Sequence, residues 1–146
     1  MSGSEVIQDA VVAGAVASVL SGVPSTLHAL LHAINPLEAS LAAGTLLLPH
    51  EERASRLLPA AMVAHGALSI GWALALAAGV PRGREVPGSV TGGLAIAALD
   101  LGVVGRRFPR IRELAIVPQV LDHVAYGATV GWVLSRRRAR RAAPQS

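Results

Sequence analysis

Four long stretches of the sequence carry almost no charge, and they constrain the fold more than any other feature. The stretches cover residues 10–33, 57–81, 86–105 and 114–134. Apart from histidines, their only ionisable acidic or basic side chains are Asp100 in the third stretch and Asp122 in the fourth. At 1.5 Å per residue, a helix over the first stretch is about 36 Å long, which is enough to cross a hydrocarbon layer of about 30 Å. The stretches predict an all-α integral membrane protein with four spans.

A soluble, Ala-rich helical bundle is the alternative for a chain of this length. Each helix of such a bundle needs a charged face toward water, and none of the four stretches has one. Composition agrees with the membrane class, because 52% of the residues are apolar, the mean hydropathy is +0.51 and only 15% are charged. Since the later connections are short, we predict an up-down four-helix bundle over residues 1–135.

Two further features limit the class of protein. The chain has no cysteine, which excludes disulfides, thiolate catalysis, iron–sulfur clusters and cysteine-based zinc sites. The segment before the first stretch contains Glu5 and Asp9 but no basic residue. Because a secretory signal has a basic leader and a shorter apolar core, we expect the first span to remain in the mature protein.

The connection between the first two spans predicts a short helix. Asn35 followed by Pro36 and Glu38 has the spacing of a capped helix start, so we expect a helix over about 36–48 that lies at the membrane interface. At the other end of the chain, residues 136–146 form an Arg-rich tail, "RRRARRAAPQS". We expect this tail to be a frayed helix end followed by a disordered, cytoplasmic segment.

Small residues recur on one face of each predicted span. At 100° per residue, spacings of three and four place them on a narrow stripe, where they let a neighbouring helix approach closely. The residues predicted to pack helices are Gly14, Ser18, Gly71, Gly93, Gly127 and Gly131.

Polar residues within the spans are expected to form one cluster. Gln119, Asp122, His123 and Tyr126 share one face of the fourth span. In an up-down bundle, every ionisable residue of the spans lies roughly 7 to 13 Å deep in the leaflet opposite the termini, except His32, which lies nearer the surface; the leaflet near the termini has none. The predicted cluster comprises His28, His32, His65, Asp100, Asp122, His123 and Tyr126.

Four interpretations of the cluster stay open. A structural polar network would fix helix register in a structural or assembly component of the membrane. A water-filled, ionisable cavity would serve a carrier or channel subunit for protons, metal ions or small solutes. A membrane-embedded catalytic site and a haem held between two histidines are the other two. The chain lacks HExxH, a phosphate-binding loop and a serine-nucleophile elbow, so an enzyme is the less favoured class.

Besides haem, a metal ion is a cofactor that the residues suggest. His28 and His32 have the i, i+4 spacing that places two imidazoles on one metal, with carboxylates or other histidines of the cluster as further ligands. Pairs of histidines at this spacing also occur by chance. No cofactor is therefore predicted, and a metal site at these two residues stays an open alternative.

Arginines near the span ends predict orientation and partners. Seven lie on the side of the termini and six on the other side, and the dense C-terminal run is the harder group to translocate. We therefore expect a multi-pass protein of the plasma (inner) membrane with cytoplasmic termini and anionic lipid at the Arg-rich tail. Four short helices with many small residues favour a homo-oligomer or other membrane partners. No aromatic or motif pattern supports nucleic-acid binding.

Three segments carry a resemblance to a known group of proteins. "GVPSTLHALL", the following "NPLEA" helix start and "HVAYGATVGWVL" in the last span resemble small multi-spanning membrane proteins of unknown function from GC-rich bacteria. The likeness covers most of the chain. It implies a membrane location and no particular activity.

Overall fold

The computed structural model describes residues 2–143, and this part of the chain is helical and contains no β-strand. A π-helical segment, Asp100–Val104, and a 3₁₀ turn, Gly105–Arg107, follow the fifth helix directly. Within residues 2–143, the α-helices are α1 Gly3–Leu20, α2 Val23–Leu31, α3 Glu38–Gly44, α4 Ala54–Gly79, α5 Glu85–Leu99, α6 Pro109–Arg112 and α7 Ile116–Ala142. The predicted all-α class is confirmed.

Three helical stretches are long and apolar enough to cross a membrane. They are Gly3–Leu31, which joins α1 and α2, then Ala54–Gly79 and Glu85–Arg107. The remaining long helix, α7, falls outside this group because polar residues occupy its first half and arginines its last turns. It packs against α5, α1 and α2, so other helices cover much of its polar surface.

Glycines bring neighbouring helices into backbone contact in antiparallel pairs. A β-carbon at Gly14 of α1 would lie 2.8 Å from the Ile70 α-carbon of α4. On α5, a β-carbon at Gly93 would overlap the carbonyl oxygen of His123, and one at Gly131 of α7 would lie 2.5 Å from that of Glu85. On α1 and α4, residue 14 meets residue 70 and residue 18 meets residue 65, so rising numbers on one helix meet falling numbers on the other. The same holds for α5 and α7. Each pair of helices is therefore antiparallel.

The first predicted span is not one continuous helix. The helix begins earlier than residue 10, at Gly3, because Ser2 and Glu5 form a reciprocal capping box. It is interrupted at Ser21 and Gly22, after which α2 begins with a proline, Pro24, in its first turn. Proline is favoured there because the first N–H groups of a helix lack intrahelical partners.

The short helix after α2 is shorter than predicted. It runs from Glu38 to Gly44 instead of 36–48, and Leu37, not Asn35, precedes its first residue. The Asn35 side chain instead accepts a hydrogen bond from the N–H of Leu37 at 3.0 Å, which forms a turn. Glu38 does not complete a capping box, because its carboxylate binds the Arg110 guanidinium of α6 at 2.6 and 3.1 Å.

Two other predictions differ from the structure. Gly71 faces outward, with no atom of the described residues within 4 Å of a β-carbon placed there. The reason is that this half of α4 carries small residues on both sides, and the buried side is the opposite one, with Ser69, Ala73 and Ala77. The Arg-rich segment is not frayed either, since α7 continues to Ala142. Residues 144–146 of the predicted disordered tail lie outside the described residues.

Candidate functional site

Two polar layers lie between the helices, and the one nearer the termini centres on Asp9. This α1 side chain is fully buried, and it lies against the guanidinium groups of two α7 arginines. Arg137 donates from Nε at 2.5 Å, and Arg141 donates to both carboxylate oxygens at 2.6 and 2.7 Å. Hydrogen bonding to Asp9 raises the pKa of Arg141 above its ordinary value. Charge-assisted, two-point contacts of this kind fix orientation as well as distance.

Arg138 forms the second half of the same layer. Its guanidinium donates to the Glu85 carboxylate of α5 at 3.1 Å. It also donates to the carbonyl oxygens of Ala77 at 2.7 Å and Val80 at 3.1 Å, which belong to the end of α4. Because the last carbonyls of a helix have no intrahelical donors, Arg138 caps α4 while it binds α5. Three arginines of α7 thus connect α1, α4 and α5.

This terminal layer was not predicted from the sequence. Asp9 was expected before the first span, the arginines were expected in a frayed, cytoplasmic tail, and no ionisable residue was expected in the leaflet near the termini. The structure instead buries Asp9 and places Arg138 in contact with three other residues. The available signal was the i, i+4 spacing of Arg137 and Arg141, which puts both side chains on one helix face.

A cavity of about 530 Å³ opens beside the terminal layer. Five charged residues line it, and positive and negative groups are nearly balanced: Arg82, Arg138, Arg141, Glu5 and Glu85. Two of these arginines already bind carboxylates of the chain. The cavity therefore belongs to the ion-pair layer.

The second polar layer lies at the junction between α1 and α2. Asp122 of α7 accepts a hydrogen bond from the backbone N–H of Ser25 at 2.9 Å, in the first turn of α2. Gly22, which precedes α2, has no side chain to cap the helix. A carboxylate from another helix thus satisfies a donor at the positive end of α2.

His123, the next residue of α7, connects to the π-helical segment that ends α5. Its Nδ1 lies 2.8 Å from the carbonyl oxygen of Gln119, and because a carbonyl only accepts, Nδ1 carries a proton. Its Nε2 lies 3.4 Å from a carboxylate oxygen of Asp100. In a neutral imidazole protonated on Nδ1, Nε2 carries only a lone pair, and it then faces a carboxylate oxygen that is also an acceptor. The pair is therefore attractive only when it holds one additional proton, on Nε2 or on the carboxyl group.

His65 and Tyr126 bind backbone carbonyls of neighbouring helices. His65 Nε2 on α4 donates to the carbonyl oxygen of Ser18 on α1 at 3.0 Å. The Tyr126 hydroxyl on α7 donates to the carbonyl oxygen of Ser69 on α4 at 2.5 Å. Each bond joins two helices. Such bonds fix the register of helices whose side chains are mostly small.

His28 and His32 lie one turn apart near the end of α2 and form a pair of their own. Their rings are 4.1 Å apart between centroids, and His32 Nδ1 contacts the His28 carbonyl oxygen at 2.9 Å. Among residues 2–143, no three His, Asp or Glu side chains lie close enough together to share a metal ion. The structure brings Asp122 to Ser25 and His123 to Asp100, and leaves the two α2 histidines as a separate pair.

Comparisons of the chain with protein-family models, curated proteins and solved structures find no match. The resemblance to small multi-spanning membrane proteins stays a prediction.

Proposed function

We propose that this chain is a polytopic membrane protein in which four antiparallel helices, α1–α2, α4, α5 and α7, cross the bilayer. The contact between Asp9 near the N-terminus and Arg141 near the C-terminus supports four as the number of crossings. Since the two ends of the described chain touch, they lie on the same side of the membrane, which requires an even number of crossings. Three apolar stretches therefore need α7 as a fourth crossing, with its polar residues shielded by α1, α2 and α5.

We further propose a structural or assembly role in the plasma membrane as the main function. The observation that supports it most is that most polar groups of the two layers bind partners within the chain, and nearly all of these bonds join different helices. A network satisfied in this way stabilises one arrangement of small-residue helices. The outward surfaces remain apolar and available to lipid or to other membrane proteins.

Two variants test this role. Asp100→Asn and Asp122→Asn should lower the folded yield in detergent or the amount recovered in a larger complex, with no solute-dependent effect. Glu113→Gln, an exposed carboxylate beside α6, is the matched control and should leave both unchanged. Unchanged yield and complex formation in both aspartate variants would contradict the structural role.

A carrier or channel subunit for protons or small solutes is the second candidate. The observation that favours it is the His123–Asp100 pair, which needs one additional proton, beside a π-helical segment of the kind common at functional sites. The Asp100 side chain is 30% exposed. In reconstituted vesicles, Asp100→Asn should abolish proton-dependent flux while the folded yield stays normal. Equal flux in the two proteins would contradict this candidate.

The outward face of α4 supports a homo-oligomer. Four small residues at four-residue spacing are exposed on it: Ala67, Gly71, Ala75 and Gly79. Such stripes allow close helix contacts between membrane proteins. Gly71→Leu should reduce the mass of the detergent-solubilised particle without changing its helix content. An unchanged mass would argue against this face as the interface.

The proposed orientation places both termini in the cytoplasm, with anionic lipid near the Arg-rich end. Among the described residues, Arg82, Arg84, Arg136 and Arg140 on that side make no ion pair within the chain and remain available to lipid phosphates. By contrast, the other arginines of this segment form ion pairs with carboxylates of the chain: Arg137, Arg138 and Arg141. Lipid binding would therefore depend on fewer arginines than the tail contains.

A further inference from the structure

Among the described residues, the hydrogen bond from Ser25 to Asp122 is the one that joins α2 to another helix. Only Ser25 and Ala29 of α2 are buried, and both side chains are small. Its large apolar residues face outward, with Leu27 53% and Leu30 61% exposed. Because so little apolar surface of α2 is covered, the bond from Ser25 to Asp122 is a large part of what holds α2 against α7.

The interruption before α2 gives the chain a joint at this point. Gly22 offers no side chain to the start of α2, and Pro24 has no N–H to be capped. The N–H of Ser25 is thus the donor that a capping group can reach, and Asp122 takes it at 2.9 Å. An ionised carboxylate binds such a donor more strongly than a neutral group, both through its charge and through the positive end of the helix.

Several titratable groups surround Asp122. His65 of α4 and His123 of α7 are close enough for their charges to act on the carboxylate. His28 lies one turn further along α2, and Asp100 contacts His123 from the end of α5. On α1, residues 10–20, which precede the joint, include no titratable side chain.

We propose that Asp122 is a proton-binding site whose occupancy sets the angle between α1 and α2. With the proton absent, the carboxylate holds the start of α2 against α7. With the proton bound, the group is neutral, its hydrogen bond to Ser25 weakens, and α2 turns about Ser21 and Gly22 away from α7. The proposal depends on the contact between Asp122 and α2, and it holds whether the protein is an assembly component or a carrier.

The absence of cysteine allows a direct distance measurement. Paired spin labels at Leu30→Cys on α2 and Met62→Cys on α4 report the position of α2, and both residues are exposed. A second pair, Val19→Cys with Met62→Cys, reports α1 before the joint and serves as the matched control. Distances are measured in lipid vesicles between pH 5 and pH 9.

We expect the α2 pair to change its mean distance with pH while the α1 pair stays constant. Asp122→Asn keeps a neutral acceptor, so it should give the low-pH distance at every pH. His65→Gln and His123→Gln should shift the midpoint but retain the change. The proposal is overturned if the unmutated α2 pair is constant, if Asp122→Asn still responds to pH, or if the α1 pair moves equally. It is also overturned if either histidine variant alone abolishes the response.

Discussion

Replacing Asp9 by Asn should destabilise the protein strongly, because this carboxylate is fully buried and binds two arginines. Removing one partner of a buried ion pair costs about 3–5 kcal/mol, since the other charge is left uncompensated. Arg137 and Arg141 are 31% and 29% exposed, so they can turn partly toward water when Asp9 is neutral. The cost of the substitution should therefore lie at the lower end of that range. We therefore expect a loss of about 3 kcal/mol, or roughly a hundredfold in the folding equilibrium.

The assay is reversible unfolding in mixed micelles of SDS and a mild detergent, followed by circular dichroism. Glu5→Gln is the matched control, because Glu5 lies one turn earlier on α1 and a glutamine can still complete the capping box with Ser2. Its effect should stay below about 0.5 kcal/mol, as for an ordinary surface substitution. A double-mutant cycle with Arg141→Gln should give a coupling energy of about 1 kcal/mol or more. If Asp9→Asn and Glu5→Gln have equal effects, the buried ion pair does not hold α1 to α7.

Three further predictions concern packing and polar contacts. Gly93→Ala should cost about 1–3 kcal/mol in unfolding titrations because its β-carbon overlaps a backbone oxygen, whereas Gly71→Ala, with open space around it, should cost nothing. Equal costs for the two variants would show that helix propensity, and not the close approach of two helices, sets both changes in stability. Ser89→Ala should stabilise the protein by about 1 kcal/mol, since this buried hydroxyl has no hydrogen-bond partner among the described residues; a loss of stability would refute that. Hydrogen bonding to Arg53 lowers the pKa of Glu51 from 4.5 to about 2. The ion pair with Arg53 therefore stabilises the protein above pH 4.5, and this stabilisation is lost as the pH falls toward 2. The difference in stability between the unmutated protein and Glu51→Gln should shrink over that range. A difference that is constant with pH would contradict this ion pair.

The all-α class and most helix positions could be predicted from the charge-free stretches. The inward face of α4 could not. In its second half, Ala73 and Ala77 on the buried face and Ala67 and Gly71 on the outward face are similarly small, so residue size alone does not show which face meets another helix. In a membrane helix both faces are apolar, which removes the contrast that marks the core of a soluble protein.

The buried ion pairs were harder to predict, because their partners are far apart in the sequence. Asp9 and Arg141 are 132 residues apart. A rule that ends a span at the first charged residue excludes both. The joint between α1 and α2 had a local signal in Pro24, which favours the first turn of a helix. The π-helical segment after α5 had no such signal, since its residues other than Asp100 are as small or apolar as those before it.

The side of the membrane on which each end lies tests the four-crossing architecture most directly. Single cysteines at Ser4, Ala142, Glu52 and Glu113, all exposed, can be labelled with an impermeant maleimide in intact and in permeabilised cells. We expect Ser4→Cys and Ala142→Cys to react only after permeabilisation, and Glu52→Cys and Glu113→Cys to react in intact cells. Reaction of Ser4→Cys and Ala142→Cys from opposite sides would contradict the contact between Asp9 and Arg141 and the fourth crossing that depends on it.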